Sequence, residues 1–220
     1  QDVNWYLQEQ LRLRGEGVGR LMGWGKGHLF RRLEPWLCRQ YELTLTISEG
    51  DRALLAPFLD PERLLLVPLA PALDPDAEVE PAVEERANLL FVGAMSRPHN
   101  LTGVTWFLDR IWPRIRKAQP DARFFIVGGG PPESLRARAD DHVKVTGFVD
   151  DLAPWYRAAT LFVSPLLVAG GLLQKVMDAM AMGVPVVATN VCNHGLGAIP
   201  GEHLITADHP EPFADAVVSL

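Results

Sequence analysis

Val168 to Thr189 reads V-A-G-G-L-L-Q-K-V-M-D-A-M-A-M-G-V-P-V-V-A-T. Gly170 and Gly171 mark a turn, the residues that follow have helical periodicity, Gly183 marks a second turn, and a short apolar strand closes at Thr189. Just upstream, Thr160 to Pro165 (T-L-F-V-S-P) is β-branched and aromatic, the composition of a buried strand. Strand, helix and strand in that succession predict a crossover unit, and a crossover unit requires a parallel sheet.

The helix of this unit has two faces. Leu172, Val176, Ala179, Met180 and Gly183 form an apolar, close-packing face, while Gly171, Lys175 and Asp178 fall at i, i+4 and i+7 on another. Two readings of the second face stand. In one, Lys175 and Asp178 are a surface pair on an ordinary sheet-packing helix, worth about 0.3 kcal/mol. In the other, Lys175 and the backbone N–H groups after Gly170 and Gly171 share an anion at the positive end of the helix, for which phosphate is the natural candidate. Asp178 would then accept hydrogen bonds from ribose hydroxyls.

Upstream, the same alternation continues. Asn88 to Gly93 (N-L-L-F-V-G) predicts a strand, Asn100 to Lys117 a helix with Val104, Phe107, Leu108, Ile111 and Ile115 at helical spacing, and Arg123 to Val127 a strand ending in Gly128, Gly129 and Gly130. Glu133 to Ala139 predicts a helix, Val143 to Val145 a strand, and a further helix runs from Asp150 and Asp151 through Trp155. The order predicts a doubly wound α/β domain, with ligand sites outside the carboxyl ends of its strands. Gly93, Gly128, Gly147 and Ser164 stand at four such ends.

The first part of the chain is sparser. A mixed helical segment, Asp2 to Arg14, offers Trp5, Tyr6 and Leu13 as core contacts, and Gly15 to Gly27, with six glycines but no G-x-G-x-x-G spacing, predicts a mobile loop. His28 to Tyr41 predicts a basic helix that Pro35 should bend or interrupt. Leu43 to Ile47 predicts a strand, Ser48 the N-cap of a helix over Glu49 to Phe58, and Leu64 to Pro68 another strand. Ala70 to Glu85 is rich in Pro, Asp and Glu and reads as a linker. The expected organisation is therefore a remnant domain over 1–69, a linker over 70–87 and a second domain from 88 to 220.

G-L-L-Q-K-V-M-D-A-M-A-M-G-V-P-V-V-A-T resembles the donor-site signature of glycosyltransferase family 4, retaining nucleotide-sugar enzymes built from two facing Rossmann domains in the B-type arrangement. Within it, the chain is most similar to sugar transferases associated with exopolysaccharide and exosortase gene clusters. The resemblance implies that Lys175 binds the donor diphosphate and that Asp178, standing where glutamate is usual, takes the ribose hydroxyls; these are the catalytic residues it implies. Gly93, Ala94, Met95 and Asn100 match the pattern G-A-M-x-x-x-P-N, with Pro98 one position ahead of its proline, and Thr146, Gly147, Phe148 and Val149 resemble the loop whose backbone holds the nucleobase. The implied donor-binding set is Gly93, Arg97, Asn100, Gly128, Gly147, Phe148, Val149, Ser164, Gly170, Gly171 and Leu172, together with Lys175 and Asp178; Arg97 also reads as an exposed loop arginine. Two further positions depart from the family: Gly170 stands where arginine is usual, and His194 where a glutamate precedes the Gly-Leu pair. In the first part, E-P-W-L-C-R-Q-Y, T-L-T-I and S-E-G-D-R-A-L-L resemble the last helix, strand and helix of the acceptor-side domain, whose earlier elements are not present; the chain reads as a fragment, truncated within its last helix.

Composition bounds these expectations. Of 220 residues 48% are apolar and 22% charged, and a net charge of -6 argues against nucleic acid as a partner. Cys38 and Cys192 match no metal spacing and read as reduced thiols, the habit of a cytoplasmic protein. Six histidines are scattered, so no metal or other cofactor is expected; His99 and His194 lie in presumed site loops. The function expected is transfer of a sugar from a nucleoside diphosphate to a glycan or lipid-linked acceptor with retention of configuration. The full-length protein would work in the cytoplasm, peripherally at the inner face of the membrane, and this stretch alone would be inactive. The alternatives are a nucleotide-binding module without turnover and a nucleotide-sugar epimerase on the same scaffold; a nicotinamide dehydrogenase fits least, for want of G-x-G-x-x-G.

Overall fold

A computed structural model of the chain describes residues 6, 9–10, 18–84 and 87–220, with side chains described outside 18–27. Trp5 and Leu13 lie outside the described residues. The chain divides into two compact units, one of 1–70, 168–173 and 191–197, the other of 71–167, 174–190 and 198–220.

The larger unit is built on six parallel strands: β3 (Asn88–Val92), β4 (Arg123–Val127), β5 (Val143–Gly147), β6 (Leu161–Ser164), β7 (Val186–Ala188) and β8 (Ile205–Thr206), in the order β5-β4-β3-β6-β7-β8. This is the doubly wound, Rossmann-like α/β fold. From β3 the chain winds outward to β5, then returns to β6 and winds the other way. The order reverses between β3 and β6, and the strand-end crevice at that reversal is where such sheets take ligands. The four central strands, β4, β3, β6 and β7, are apolar runs because both faces are covered. Phe124 and Phe125 are successive residues pointing to opposite faces, yet they are 0% and 5% exposed. On one face Phe124 meets Phe107 at 4.7 Å, which packs edge-on against Phe213 at 5.9 Å. On the other, Phe125 meets Trp155 at 5.7 Å and Tyr156 stacks on Phe162 at 5.6 Å.

Helices of this unit depart from expectation in their bounds, two of them for a physical reason that the sequence carries. The one foreseen over 100–117 is α-helical at Pro98–Trp106 and Trp112–Ala118, but Phe107–Ile111 forms a π turn in which Trp112 N–H reaches Phe107 O. Pro113 accounts for the break, since it has no N–H for the carbonyl one turn back. The helix of the opening motif spans Gln174–Ala181, so Gly183 lies beyond it rather than on its apolar face. There it ends the helix: with φ of +72°, its N–H meets Met180 O at 3.1 Å, and Val184 N–H meets Ala179 O at 2.9 Å, a Schellman closure. The sixth strand, only two residues long, and the last helix, Pro210–Ser219, complete the unit.

The acidic stretch from Pro71 is fastened along this unit. Ala82 N–H donates to Pro154 O at 2.9 Å, Arg157 to Ala77 O at 3.1 Å, and Asn88 and Arg123 both donate to Glu84 O.

The smaller unit holds β1 (Thr44–Thr46) and β2 (Leu64–Leu66), a parallel pair. Ser48 caps the helix Glu49–Leu55, its Oγ accepting Asp51 N–H at 3.0 Å, as its sequence predicts. The helix Val18–Cys38 begins inside the glycine-rich stretch expected to be a loop. Leu, Met, Trp, Arg and Lys separate those glycines, and the helix-forming residues prevail at about 1 kcal/mol lost per glycine. Pro35 does not interrupt it: three residues from the end it removes a single hydrogen bond, and Arg39 N–H still reaches Pro35 O. Tyr6 and Cys38 pack against the small core of Leu55 and Leu64. Cys38 and Cys192 are not joined in a disulfide.

Candidate functional site

The crevice at the strand reversal is lined from β3 and its loop. Gly93 follows β3, its N–H bonded to Val127 O at 2.9 Å, and the loop Ala94–Arg97 leads into helix Pro98–Trp106. Asn100, in the first turn of that helix and 3% exposed, donates from Nδ2 to Ala94 O at 3.0 Å and so folds the loop back on itself.

Lys175, the second residue of helix Gln174–Ala181, reaches the same place from the other side of the reversal. Its Nζ donates to Asn100 Oδ1 at 2.8 Å and lies 4.3 Å from the centre of the Phe91 ring, a cation over the negative face of an aromatic. Gly93 is what leaves room for this. A methyl group there would stand 2.9 Å from Lys175 Nζ and 2.8 Å from Asn100 Nδ2.

Asp178, one turn further along the helix, faces elsewhere and is 5% exposed. Its Oδ1 accepts Ala72 N–H at 2.7 Å and Gln174 Nε2 at 3.0 Å. A carboxylate buried this far is not half of an exposed surface pair, so that reading of Lys175 and Asp178 falls. Oδ1 is engaged by donors, which leaves Oδ2 as the atom able to accept from a ligand. Tyr156 closes the back of the helix: its hydroxyl donates to Lys175 O at 3.0 Å. Burial, reinforced by the Asp178 charge, pushes the Tyr156 hydroxyl well above the usual phenol range, so it remains a neutral donor.

The other strand ends join by backbone. Gly128 N–H bonds to Gly147 O at 3.0 Å and Met95 N–H to Gly129 O at 2.8 Å. Gly128, at φ +144°, lies so near Gly93 that a methyl group would stand 2.1 Å from its carbonyl oxygen. Phe148, after Gly147, is 77% exposed, Val149 is half-buried, and Arg97 is exposed on the loop. Ser164 is the fully buried last residue of β6, its carbonyl taken by Thr189 N–H at 3.1 Å.

The structure thus brings Gly93, Asn100 and Lys175 into contact and sets Gly128 and Gly147 at adjoining strand ends. Gly170, Gly171 and Leu172 belong to the smaller unit instead. Gly171 has φ of +61° outside any helix, so it does not share a helical face with Lys175; Gly195 packs against its carbonyl so closely that a methyl would overlap it. His194, also in that unit, stacks on Tyr6 at 4.2 Å. Phe91, Tyr156, Gln174 and Ala72 were not singled out by the sequence. Gln174 had a readable signal, four residues before Asp178 on one helix. Among the described residues no three of His, Cys, Asp and Glu gather as a metal site, and no helix is long and apolar enough to cross a membrane.

Residues 86–220 match the family described as glycosyl transferases group 1. The chain is 32% identical over 139 residues to a phosphatidyl-myo-inositol mannosyltransferase of Mycobacterium leprae, a match covering 60% of this chain and 36% of that protein. It is 32% identical over 112 residues to the lipopolysaccharide core biosynthesis mannosyltransferase LpsB of Rhizobium meliloti, covering 46% and 31%. The fold is similar to that of HepE from Anabaena in complex with UDP and glucose, with a TM-score of 0.68 and 16% identity over 87% of this chain and 56% of that one. The chain spans about a third of the length of the curated relatives it matches, 36% for the mycobacterial protein.

Proposed function

The chain belongs to the glycosyl transferases of group 1, and from that premise we propose that its six-stranded unit binds the donor of a sugar transfer, a nucleoside diphosphate sugar. The observation that carries this is Lys175 Nζ, held at the strand reversal by Asn100 and Phe91. Lys175 faces the diphosphate, Asp178 Oδ2 takes ribose hydroxyls, and the backbone of Thr146–Val149 borders the base. The neighbouring HepE structure contains UDP and glucose, which supports a nucleotide of this class.

The chemistry is stabilisation of a leaving group. As the bond from the sugar to the diphosphate breaks, negative charge grows on the phosphate oxygens, and a cation already in place stabilises it by a few kcal/mol without reorganising. No metal is needed for this role. The incoming hydroxyl belongs to a glycan or lipid-linked acceptor presented at the inner face of the membrane, and transfer retains configuration. Gly170 favours a second reading, nucleotide binding without turnover, because the position where the family usually has arginine offers no side chain.

Calorimetric titration with UDP, GDP and ADP tests the donor site. One of the three should bind, and Lys175→Ala should weaken it about a hundredfold, the loss of a charge-assisted contact. Equal affinity of the variant would remove Lys175 from the site. An assay of sugar transfer by a protein spanning both halves, with and without Gly170→Arg, separates the two readings.

A further inference from the structure

Asn100 has been read so far as one member of a donor-binding set, but its contacts define a different task. The side chain is buried and spends both ends of its amide: Nδ2 on Ala94 O at 3.0 Å, Oδ1 on Lys175 Nζ at 2.8 Å. Chemistry fixes which end is which. A carbonyl oxygen cannot donate and an ammonium cannot accept, so turning the amide over would break both bonds at once. Phe91 bounds Nζ on another side, and Gly93 forbids any side chain that would displace either group.

We propose that Asn100 is the positioning residue for Lys175, setting its ammonium at the end of β3 before any anion arrives. The Asn100 amide is a neutral acceptor. An aspartate of the same shape would hold the lysine more tightly but offset its charge, and would face Ala94 O with no proton to share. The amide orients the cation without adding a charge of its own. The lysine's rotamer entropy is then lost on folding rather than on binding, which is how preorganised sites gain affinity. The identity of the anion rests on the donor reading above; the Asn100–Lys175 contact does not.

The test uses the 220-residue chain with Asn100→Ala, Asn100→Asp, Lys175→Ala and the Asn100→Ala/Lys175→Ala pair. UDP, GDP and ADP are titrated, with the monophosphate of whichever binds. Asn100→Ala should weaken the diphosphate about tenfold and the monophosphate about twofold or less, and Asn100→Asp should weaken the diphosphate more. In the Lys175→Ala background, Asn100→Ala should cost nothing further, since a positioning residue acts only through its client. Additive losses would mean that Asn100 touches the ligand itself and would overturn the proposal. A second readout needs no ligand: acetic anhydride labelling of Lys175, followed by mass spectrometry, should quicken several-fold in Asn100→Ala. Unchanged labelling overturns the proposal as well. Faster labelling in a chain that binds no diphosphate would uphold the positioning role and sink the donor reading. Asn100→Asp, equal in shape, serves both readouts should the alanine variant not fold; in it Lys175 labelling should slow, because an ion pair holds the ammonium more tightly.

Discussion

The two parallel sheets of this chain are written in the same residues and come to different ends. Val186–Ala188 in the six-stranded sheet is buried at every position, whereas in Leu64–Leu66 of the two-stranded sheet Leu64 is buried and Leu65 is 45% exposed. Leu45, its partner in register, is 55% exposed. An apolar run therefore says that a strand suits a sheet covered on both faces. Whether it is covered depends on how many neighbours and overlying helices it has, which its own residues do not state. The larger sheet should owe its stability to packing, and the smaller one to little beyond Leu55, Leu64 and a capped helix.

The strongest way to break that contrast is Phe162→Ala. The ring is fully buried and stacked on Tyr156, and its loss should cost about 3–5 kcal/mol in urea unfolding. A loss below about 1 kcal/mol would mean that the six-stranded core is not packed as described. Next comes Gly128→Ala, expected to cost about 3 kcal/mol or more, because the obstacle is the backbone of Gly93 and φ is +144°. Gly147→Ala, with φ of +78° but open space around it, should cost only about 1 kcal/mol.

Tyr156→Phe sharpens the picture in a third way. Removing the donor to Lys175 O should cost about 1 kcal/mol at neutral pH. Its pH dependence has a definite sign. Burial raises the Tyr156 pKa in the folded state, so the stability tied to its neutral form is complete below the unfolded value of about 10 and declines as pH rises above it. Alkaline unfolding followed by circular dichroism should be steeper above that pH for the wild type than for Tyr156→Phe; parallel curves would refute the buried-phenol account. The smallest effect expected is Leu65→Ser, within about 0.5 kcal/mol. A cost like that of Phe162→Ala would show the smaller sheet to be covered after all.

Much of the larger unit was legible because β3 and β4 are five-residue apolar runs closed by glycines and the opening motif supplies a helix between two further apolar strands. Where reading failed, the cause was local. Ile205–Thr206 is too short to show any period, and the π turn at Phe107–Ile111 follows from Pro113 without disturbing the apolar spacing. The helix Val18–Cys38 passes through glycines that resemble a loop in composition alone. At the site, Lys175 and Asn100 could be nominated separately, but they stand 75 positions apart, and only the strand reversal brings them together. Ala72 was beyond reach for a different reason: it contributes a backbone N–H, which any residue but proline would supply. Gly170–Leu172 belonged to the same motif as Lys175 by spacing, yet the left-handed turn at Gly171 ends the shared periodicity.

The facing glycines at 93 and 128 carry a consequence for how such a sequence can drift. Around Gly93 the crowding atoms are side-chain ends, those of Asn100 and Lys175, so a lineage could in principle enlarge residue 93 if it shortened one of those partners in step. At Gly128 the crowding atoms are main chain, and no second substitution removes a carbonyl. One glycine is open to compensated change; the other is fixed by the main chain of the sheet itself, whatever ligand its strand ends take.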